Sequence, residues 1–317
     1  MEHAERQVGA VSASPARSAA IGRWLVFSAT VFWASTATLA RFVFRDHHVP
    51  PLTVVELRLT IAAILLFVIL LARRPQSLRI QRGDIGYFLV LGLFGVAAVQ
   101  GSYYFSISKL GVGLAILIQY LAPTLIVVFE LLRGRWVGWM MIGAVACATA
   151  GTALLVGGVD PAALHAKPLY WLISFASAFV FAFYILYSKR GLGRYAPETV
   201  QLYTFAIAGA FWAIVTPPWK ILGAGYPLSM WGIFLVLGVF STLVPFALFY
   251  AGLRRLPASE TSVIATAEPL VAMLAAGIFL HEKMGGLQFV GAALVLAAAL
   301  MASRTSPDAA EAAVERG

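Results

Sequence analysis

Ten continuous apolar blocks run along the chain, and short polar connections separate them. The hydrocarbon core of a bilayer is about 30 Å thick, so roughly 20 apolar residues cross it as a helix. Each block is close to that length, whereas strands of a membrane barrel would read as alternating segments of about ten residues. The pattern therefore predicts ten transmembrane helices, at 24–44, 51–72, 84–106, 111–132, 136–158, 168–188, 197–219, 229–252, 258–280 and 285–303.

Composition indicates the same class of protein. Of the 317 residues, 61% are hydrophobic and 12% are charged, and the mean hydropathy is +0.86. Soluble domains are about 45–50% apolar, with about a quarter of their residues charged. We therefore interpret the chain as an all-α integral membrane protein.

The basic residues predict an orientation and exclude one kind of partner. A net charge of +9 would suit nucleic-acid binding, but the Lys and Arg residues alternate by loop and do not gather in one patch. Sixteen of the 23 lie on the side of the N-terminus, five lie on the other side and two lie within blocks. The positive-inside rule therefore predicts a multi-pass protein of the cell (inner) membrane with both termini in the cytoplasm.

The remaining segments and motifs add little chemistry. Residues 1–20 and 305–317 are polar and rich in Ala and Ser, which predicts disordered cytoplasmic tails. The first block follows a basic stretch but lacks a small-x-small exit site, so we expect a retained helix and not a signal peptide. Cys147 is alone and within a block, and no GxxxxGK[ST], HExxH or Gly-x-Ser-x-Gly motif occurs. We expect no metal, no cofactor and no ATP-driven pump.

An internal repeat links the two halves of the chain. YYFSISKLGVGLAILIQYLAP at 103–123 aligns with FYAGLRRLPASETSVIATAEP at 249–269 with an offset of 146 residues, and a weaker match joins 28–41 with 177–190. The first alignment pairs Tyr104 with Tyr250, Lys109 with Arg255, Leu110 with Leu256 and Pro123 with Pro269. Each half holds five blocks. Because five is odd, the second half enters the membrane from the opposite side, so the repeat is inverted.

Two prolines of this repeat lie deep in the membrane. Pro123 is about twelve residues into its block and Pro269 about eleven, so at 1.5 Å per residue both lie roughly 17 Å deep, near the midplane. A proline removes an intrahelical hydrogen bond and frees the carbonyl four residues earlier. Paired helix breaks at matched depth are typical of the central site of a carrier. The alternative is a tolerated proline without a function.

Several phrases resemble EamA-type carriers of the drug/metabolite transporter superfamily. They are ELRLTIAAILL at 56–66, LIQYLAPTL at 117–125, YAGLRRLPASETSVIATAEPLVAMLAAGIFLHEK at 250–283 and the closing helix at 291–300. The resemblance implies ten helices in two inverted five-helix repeats, here 21–158 and 168–304. By the same resemblance Pro123, Pro269 and Glu282 match family positions. LLRGRW at 131–136 departs from the Gly-Glu-Arg often found after the fourth helix, so no acidic residue is assigned there.

Charged residues within blocks are candidates for function, because each costs about 2.5–3.5 kcal/mol on insertion scales. Glu130 and Glu260 lie near cytoplasmic ends, beside Arg133 or beside Arg254 and Arg255, and are interpreted as interfacial ion pairs.

Three other charges lie deeper. Glu56 lies about five residues from the outer edge, and Arg58 lies on another face of the same helix. Arg58 either binds a substrate carboxylate or ties its helix to the carbonyls of a neighbour. Glu268 stands beside Pro269 in an apolar run, where desolvation disfavours the charged form. It either carries a coupling proton or binds a substrate ammonium, or else it is a permanently protonated acid bonded to a freed carbonyl.

The other candidates for substrate binding come from depth and polarity. Trp33 offers an apolar face or a cation–π surface, and Gln119 and Tyr120 immediately precede Pro123. The predicted substrate-binding set is Trp33, Ser35, Gln100, Gln119, Tyr120, Ser241, Thr242 and Glu268, with Pro123 and Pro269 as helix breaks and with Glu268 and Arg58 as coupling or charge partners.

The resemblance implies a secondary active transporter that exports small metabolites, amino acids or related organic solutes first, by alternating access. The alternatives are an exporter of lipophilic cations or drugs on the same fold and an integral membrane enzyme. An enzyme would want clustered acidic or His residues at one membrane face, and here the acidic residues are dispersed, so no enzyme is expected. The expected partners are a small-molecule substrate, the lipid bilayer and a proton. Substrate identity, driving ion, oligomeric state and resting conformation are left open by the sequence.

Overall fold

The structure is helical throughout the part of the chain that it describes. It is a computed structural model, and it describes residues 15–45, 47, 49–156, 165–279 and 285–305. Ten helices run back and forth, side by side, and together form one layer about one helix length thick. They are α1 (Pro15–Arg45), α2 (Pro51–Arg73), α3 (Arg82–Leu110), α4 (Val112–Gln119 and Ala122–Leu132), α5 (Trp139–Val156), α6 (Pro168–Leu192), α7 (Pro197–Val215), α8 (Leu228–Arg255), α9 (Ala258–Ala265 and Ala267–Phe279) and α10 (Gly286–Ser303). Short helices at Pro75–Leu78 and Pro218–Gly223 lie in connections.

Eight of the ten described helices are individually long and apolar enough to cross a membrane. The other two are α1 and α9, and the pieces of α9 are each shorter than a full span. Proline occupies the first position of α2, α6 and α7, where its missing N–H leaves no helical hydrogen bond unmade. The predicted fold class, an all-α membrane protein with ten helices in two inverted repeats, is confirmed.

The largest boundary difference from the prediction is at the first helix. Its described part begins at Pro15, nine residues before the predicted start, so residues 15–20 are helical. A leading proline followed by Ala and Arg, which are good helix formers, explains the extension. The rest of the predicted tails and Glu282 lie outside the described residues.

Irregular segments recur at matching places of the two halves. α3 is π-helical over Leu91–Ala97, and α8 is π-helical over Val239–Leu243. The offset of 146 residues carries 91–97 onto 237–243, so the two segments coincide. The break in α4 follows Gln119, and the same offset places it at Ala265, which ends the first piece of α9.

Proline accounts for both breaks. Pro123 and Pro269 lie within the first turn of the resumed helices, and neither can donate to the carbonyl four residues earlier, in Gln119 and Ala265. The pieces before the breaks are called α4a (Val112–Gln119) and α9a (Ala258–Ala265) below, and the pieces after them α4b (Ala122–Leu132) and α9b (Ala267–Phe279).

The helices pack in pairs that follow the inverted repeat. α1 packs against α8 and α9b, and its counterpart α6 packs against α3 and α4b. The counterparts α2 and α7 pack against each other, as do α5 and α10. The last pair is very close, because a Cβ atom on Gly151 would lie 2.8 Å from the carbonyl oxygen of Gly291. Small residues allow such an approach in membrane proteins.

The face of the layer where α1 begins and α10 ends is called the terminal face, and the opposite one the far face. Four described ion pairs lie at the terminal face. They are Arg23–Glu260 at 2.7 Å, Arg74–Glu198 and Arg194–Asp84 at 3.0 Å, and Arg135–Glu130 at 3.5 Å. The ammonium of Lys189 also donates to the carbonyls of Leu253 and Leu256 at 2.7 Å each, which caps the end of α8.

Packing around the broken helices is not symmetric. At the terminal face α9a packs against α4b, α5 and α6 as well as α1 and α10. Within the described residues, the corresponding contacts of α4a with α9b, α10 and α1 are at most marginal. Among the described residues, the two repeats therefore make more contacts through α9a than through α4a.

Candidate substrate site

The two broken helices meet through a tyrosine and a glutamate. The hydroxyl of Tyr120, at the break of α4, donates to Oε2 of Glu268 at 2.6 Å. Glu268 lies in the first turn of α9b and is partly buried, while Tyr120 is buried with its ring edge-on to Phe181 at 6.4 Å. The bond exists because each break brings a polar side chain to the middle of the layer, one from each repeat.

Arg58 lies on α2 and is buried against side-chain hydroxyls. Its Nε donates to Oγ1 of Thr242 at 2.8 Å, and its Nη1 donates to the hydroxyl of Tyr104. Thr242 belongs to the π-helical segment of α8, so an irregular turn of one repeat supplies an acceptor to a helix of the other. The described hydrogen bonds of Arg58 go to hydroxyls and not to carbonyls of a neighbouring helix, so they do not support the alternative of carbonyl binding.

Arg58 and Glu268 interact electrostatically, and the Tyr103 side chain interacts with both. The structure describes both Arg58 and Glu268, and no ion pair with an N···O distance of 4.0 Å or less joins them. Nη2 of Arg58 and Oε1 of Glu268 each have no hydrogen-bond partner among the described residues. The two charges therefore face a common region from different repeats, and each keeps one polar atom available.

Gln119 adds an unpartnered acceptor beside the break. Its Oε1 atom is buried, and no described group donates to it. Buried polar atoms in native proteins are usually paired with protein groups or water. A ligand or water donor at this position would satisfy it.

Aromatic side chains connect this region to α1 and α8. Phe181, whose ring lies edge-on to Tyr120, stacks on Tyr184 at 6.0 Å, and Tyr184 stacks on Phe249 at 6.2 Å. The ring of Trp33 on α1 lies 5.1 Å from that of Phe246 and 5.6 Å from that of Phe249. Trp33 is thus joined to Tyr120 through other rings.

The other predicted residues are placed as follows. Ser35 is exposed, and its hydroxyl donates to the carbonyl of Val31 at 2.7 Å on its own helix, so it is not brought to the others. Gln100 is buried on α3. Ser241 donates to the carbonyl of Leu237 at 2.8 Å and lies 3.4 Å from the hydroxyl of Thr242.

Sequence reasoning missed Tyr103 and Tyr104. The signal was available, because the repeat alignment pairs Tyr104 with Tyr250, and an aromatic residue with a hydroxyl at both places suggests a shared role. What the alignment could not give is the partner, since Arg58 lies on another helix.

The other acidic residues lie at contacts between helices, and Oε2 of Glu56 is buried without a partner among the described residues. Oε1 of Glu56 accepts from Thr60 at 3.0 Å, and Thr60 lies against Gly209 of α7. Glu130 pairs with Arg135 at 3.5 Å, and Glu260 pairs with Arg23 at 2.7 Å. Among the described residues, no group of three His, Cys, Asp or Glu side chains is placed to hold a metal ion.

Inverted five-helix repeats with two helices broken beside buried charges define a membrane transporter of the carrier class. The EamA-like transporter family matches residues 20–157 and 169–304, so the chain belongs to this family. It is a multi-pass membrane transporter of that type.

Two relatives are similar over nearly their whole length. The uncharacterized inner membrane transporter YicL of Salmonella typhimurium is 27% identical over 295 residues, which cover 91% of this chain and 97% of YicL. The threonine/homoserine exporter RhtA of the same species is 26% identical over 274 residues, which cover 86% and 87%. A chain in a solved crystal structure, described simply as a protein, matches with a TM-score of 0.72 at 23% identity over 89% of this chain and 96% of that one. This last likeness supports the fold alone.

Proposed function

We propose that this protein is a secondary carrier that exports amino acids or related organic solutes by alternating access. The observation that carries the proposal is a pair of opposite charges, Arg58 and Glu268, held between the repeats without a direct ion pair. An amino-acid zwitterion has the complementary charges, a carboxylate for the guanidinium and an ammonium for the carboxylate. Charge-assisted hydrogen bonds are the strong ones, and the guanidinium fork suits a carboxylate.

The unpartnered atoms support a zwitterion in particular. Nη2 of Arg58 could donate to the substrate carboxylate, while Oε1 of Glu268 and Oε1 of Gln119 could accept from its ammonium. Leaving a buried charge unpaired costs several kcal/mol, on the order of the penalty for breaking a buried pair. A ligand that pairs with both groups offsets that cost, and a ligand with one charge does not.

Competition at Glu268 provides a route to proton coupling. A proton and a substrate ammonium would bind the same carboxyl oxygens, so the carrier would hold one or the other. Exchange of the two on opposite sides of the membrane would let an inward proton gradient drive export. Tyr120 would orient the carboxyl in both states through its hydrogen bond.

The asymmetric packing of the broken helices supports alternating access. We infer that the described conformation is closed at the terminal face and that the opposite state separates α9a from α4b while α4a closes. Basic residues favour a cytoplasmic terminal face, and the names of YicL and RhtA support an inner-membrane exporter. Those names are of transporters, so we propose transport without a chemical reaction.

A lipophilic cation is the second candidate, because Glu268 is bonded to an aromatic residue whose ring contacts Phe181. Arg58 weighs against it. The pair of Arg58 and Glu268 is neutral overall, so a monocation would leave an unbalanced charge in the membrane.

The test is uptake of a labelled amino-acid panel into liposomes that contain the purified protein, with and without a pH gradient. We expect saturable uptake of at least one amino acid, stimulated by the gradient. Arg58→Ala should weaken apparent affinity by about ten- to a hundredfold, which corresponds to about 1.5–3 kcal/mol for a hydrogen bond to a charged group.

Glu268→Gln should abolish the response to the gradient. Glu56→Gln is the matched control, because it alters a buried acid that packs towards α7 and should leave the response intact. Saturable uptake indifferent to pH would keep the carrier and refute coupling through Glu268. Uptake of lipophilic cations with none of any amino acid would refute the proposed substrate class.

A further inference from the structure

Three buried hydroxyls of the second repeat have no hydrogen-bond partner of full geometry in the part of the chain that the structure describes. They belong to Tyr184 and Ser188 on α6 and to Tyr250 on α8, and all three side chains are at most 2% exposed. The Tyr250 hydroxyl lies within hydrogen-bonding range of those of Tyr184 and Ser188 and of Thr204 on α7, but these contacts are weak and fall short of full hydrogen-bond geometry. An unsatisfied buried polar group costs about 1–3 kcal/mol, so a cluster of three calls for an explanation.

The inverted repeat relates this cluster to the site around Arg58. The offset of 146 residues carries Tyr104 onto Tyr250 and Arg58 onto Thr204. In the first repeat the two residues are hydrogen-bonded to each other, and in the second they are neighbours. Arg58 is seven residues from the far-face end of α2, and Thr204 is seven residues from the terminal-face end of α7. The cluster therefore occupies the equivalent place in the half of the layer that is closed here.

We propose that the hydroxyls of Tyr184, Ser188 and Tyr250 form a second binding site for the substrate carboxylate, which is occupied when the carrier is open at the terminal face. This inference rests on the proposed function, since it assumes a substrate with a carboxylate. Three hydroxyl donors that converge can satisfy the oxygen atoms of a carboxylate without a full positive charge. Binding there is weaker than at Arg58, so the carboxylate moves from the hydroxyls to the guanidinium as the repeats rearrange.

The lack of full hydrogen bonds at these three hydroxyls fits a substrate site better than a structural role. A structural cluster would have its hydrogen bonds in the closed state, where the residues are most deeply buried. Here the closed state leaves them unmade. The state open to the terminal face would instead expose the same hydroxyls to water and substrate.

The first test measures labelled L-threonine uptake in membrane vesicles of each orientation, so that KM is obtained separately for the two faces. Tyr250→Phe removes the hydroxyl and keeps the ring. We expect it to raise KM about tenfold at the terminal face, the loss of one hydrogen bond to a charged group, with less than a twofold change at the far face. Its thermal midpoint should fall by little, because its hydroxyl makes no hydrogen bond of full geometry in this conformation.

The matched control is Tyr203→Phe on α7, whose hydroxyl donates to the carbonyl of Leu78 at 2.6 Å. It should lower the thermal midpoint and leave both KM values unchanged. A lower midpoint for Tyr250→Phe with unchanged KM, or an equal change of KM at both faces, would overturn the inference. If the wild type takes up no amino acid at all, the proposed function has failed, and that result is seen before any variant is compared.

A second readout does not need transport. In a Cys147→Ala background, Ser188→Cys should react with a membrane-impermeant maleimide added at the terminal face. Ser177→Cys on the same helix should not, because Ser177 is equally buried and its hydroxyl already donates to the carbonyl of Ser174 at 2.6 Å. Ser188→Cys that never reacts would mean that the cluster does not open to the terminal face, whatever the substrate.

Discussion

The short helices α4a and α9a occupy equivalent places in the two repeats, but their surroundings differ. All eight residues of α9a are buried, including Glu260 and several hydroxyl side chains. In α4a three residues are buried, and Val112 is 43% exposed. The more polar helix is thus the more buried of the two. Burial at these positions does not follow the hydrophobicity of the segment, and under the proposed alternating access it follows the conformation.

Local hydrogen bonds make this burial of polar residues possible. Thr261 donates to the carbonyl of Pro257 at 2.9 Å, and Ser262 donates to that of Ser259 at 2.8 Å. The hydroxyls are thereby satisfied within the helix, and small side chains let neighbouring helices approach. The polar residues of α9a can therefore be buried beside its apolar residues Val263 and Ile264, which belong to the hydrophobic core.

The largest expected effect comes from breaking the ion pair between α1 and α9a. Glu260 is fully buried and Arg23 partly exposed, so Arg23→Ala removes a 2.7 Å ion pair from a buried carboxylate. We expect a loss of about 3 kcal/mol in stability, measured as a fall in the thermal midpoint of the purified protein. Closure at the terminal face should weaken as well.

Arg135→Ala is the control for that substitution. It removes the longer and more exposed pair with Glu130 at the same face, and exposed pairs contribute about 1 kcal/mol or less. Equal falls in midpoint for the two variants would contradict the assignment of Arg23 and Glu260 to the closure.

An intermediate effect is expected from enlarging a small residue of α9a. Ser262→Ile inserts a branched side chain into a buried position, and overpacking costs about 1–3 kcal/mol. The offset of 146 residues pairs Ser262 with Ile116 of α4a, which is partly buried. Ile116→Val should therefore change the midpoint by less than Ser262→Ile does. The reverse order would show that α9a is not the tightly packed member of the pair.

The smallest effect is expected at Ser35. Its exposed hydroxyl bonds its own helix, so Ser35→Ala should leave both uptake and thermal midpoint within error of the wild type. A marked loss of uptake would place Ser35 in the pathway after all, as the sequence analysis predicts.

Local signals in the sequence were sufficient to predict most of the fold. Block length predicted the helices, and Pro123 and Pro269 predicted breaks that begin a few residues before them. The π-helical segments had no such signal, because no residue type marks them. The early start at Pro15 was missed because a short Ala- and Arg-containing stretch reads equally as a tail or as a helix.

The candidate site was less accessible to sequence reasoning, because its bonds join distant residues. Tyr120 and Glu268 are 148 positions apart, and Arg58 and Thr242 are 184 apart. The predicted depth of each residue in the membrane could identify it as a candidate but could not identify its hydrogen-bond partner. The same limit explains Glu260, whose partner Arg23 lies 237 positions away while two arginines stand near it in the chain.

The ion pairs at the terminal face also bear on how the chain is inserted during synthesis. Two halves of similar shape and opposite direction give the insertion machinery no geometric cue to tell one from the other. Positive charge in the connections is the cue that remains, and Arg74 and Arg194 supply it before they bind Glu198 and Asp84 in the folded protein. Sixteen basic residues lie on the side of the N-terminus against five on the other, and a chain that lost this difference would be expected to enter the membrane in both orientations, so that part of the population would be inverted.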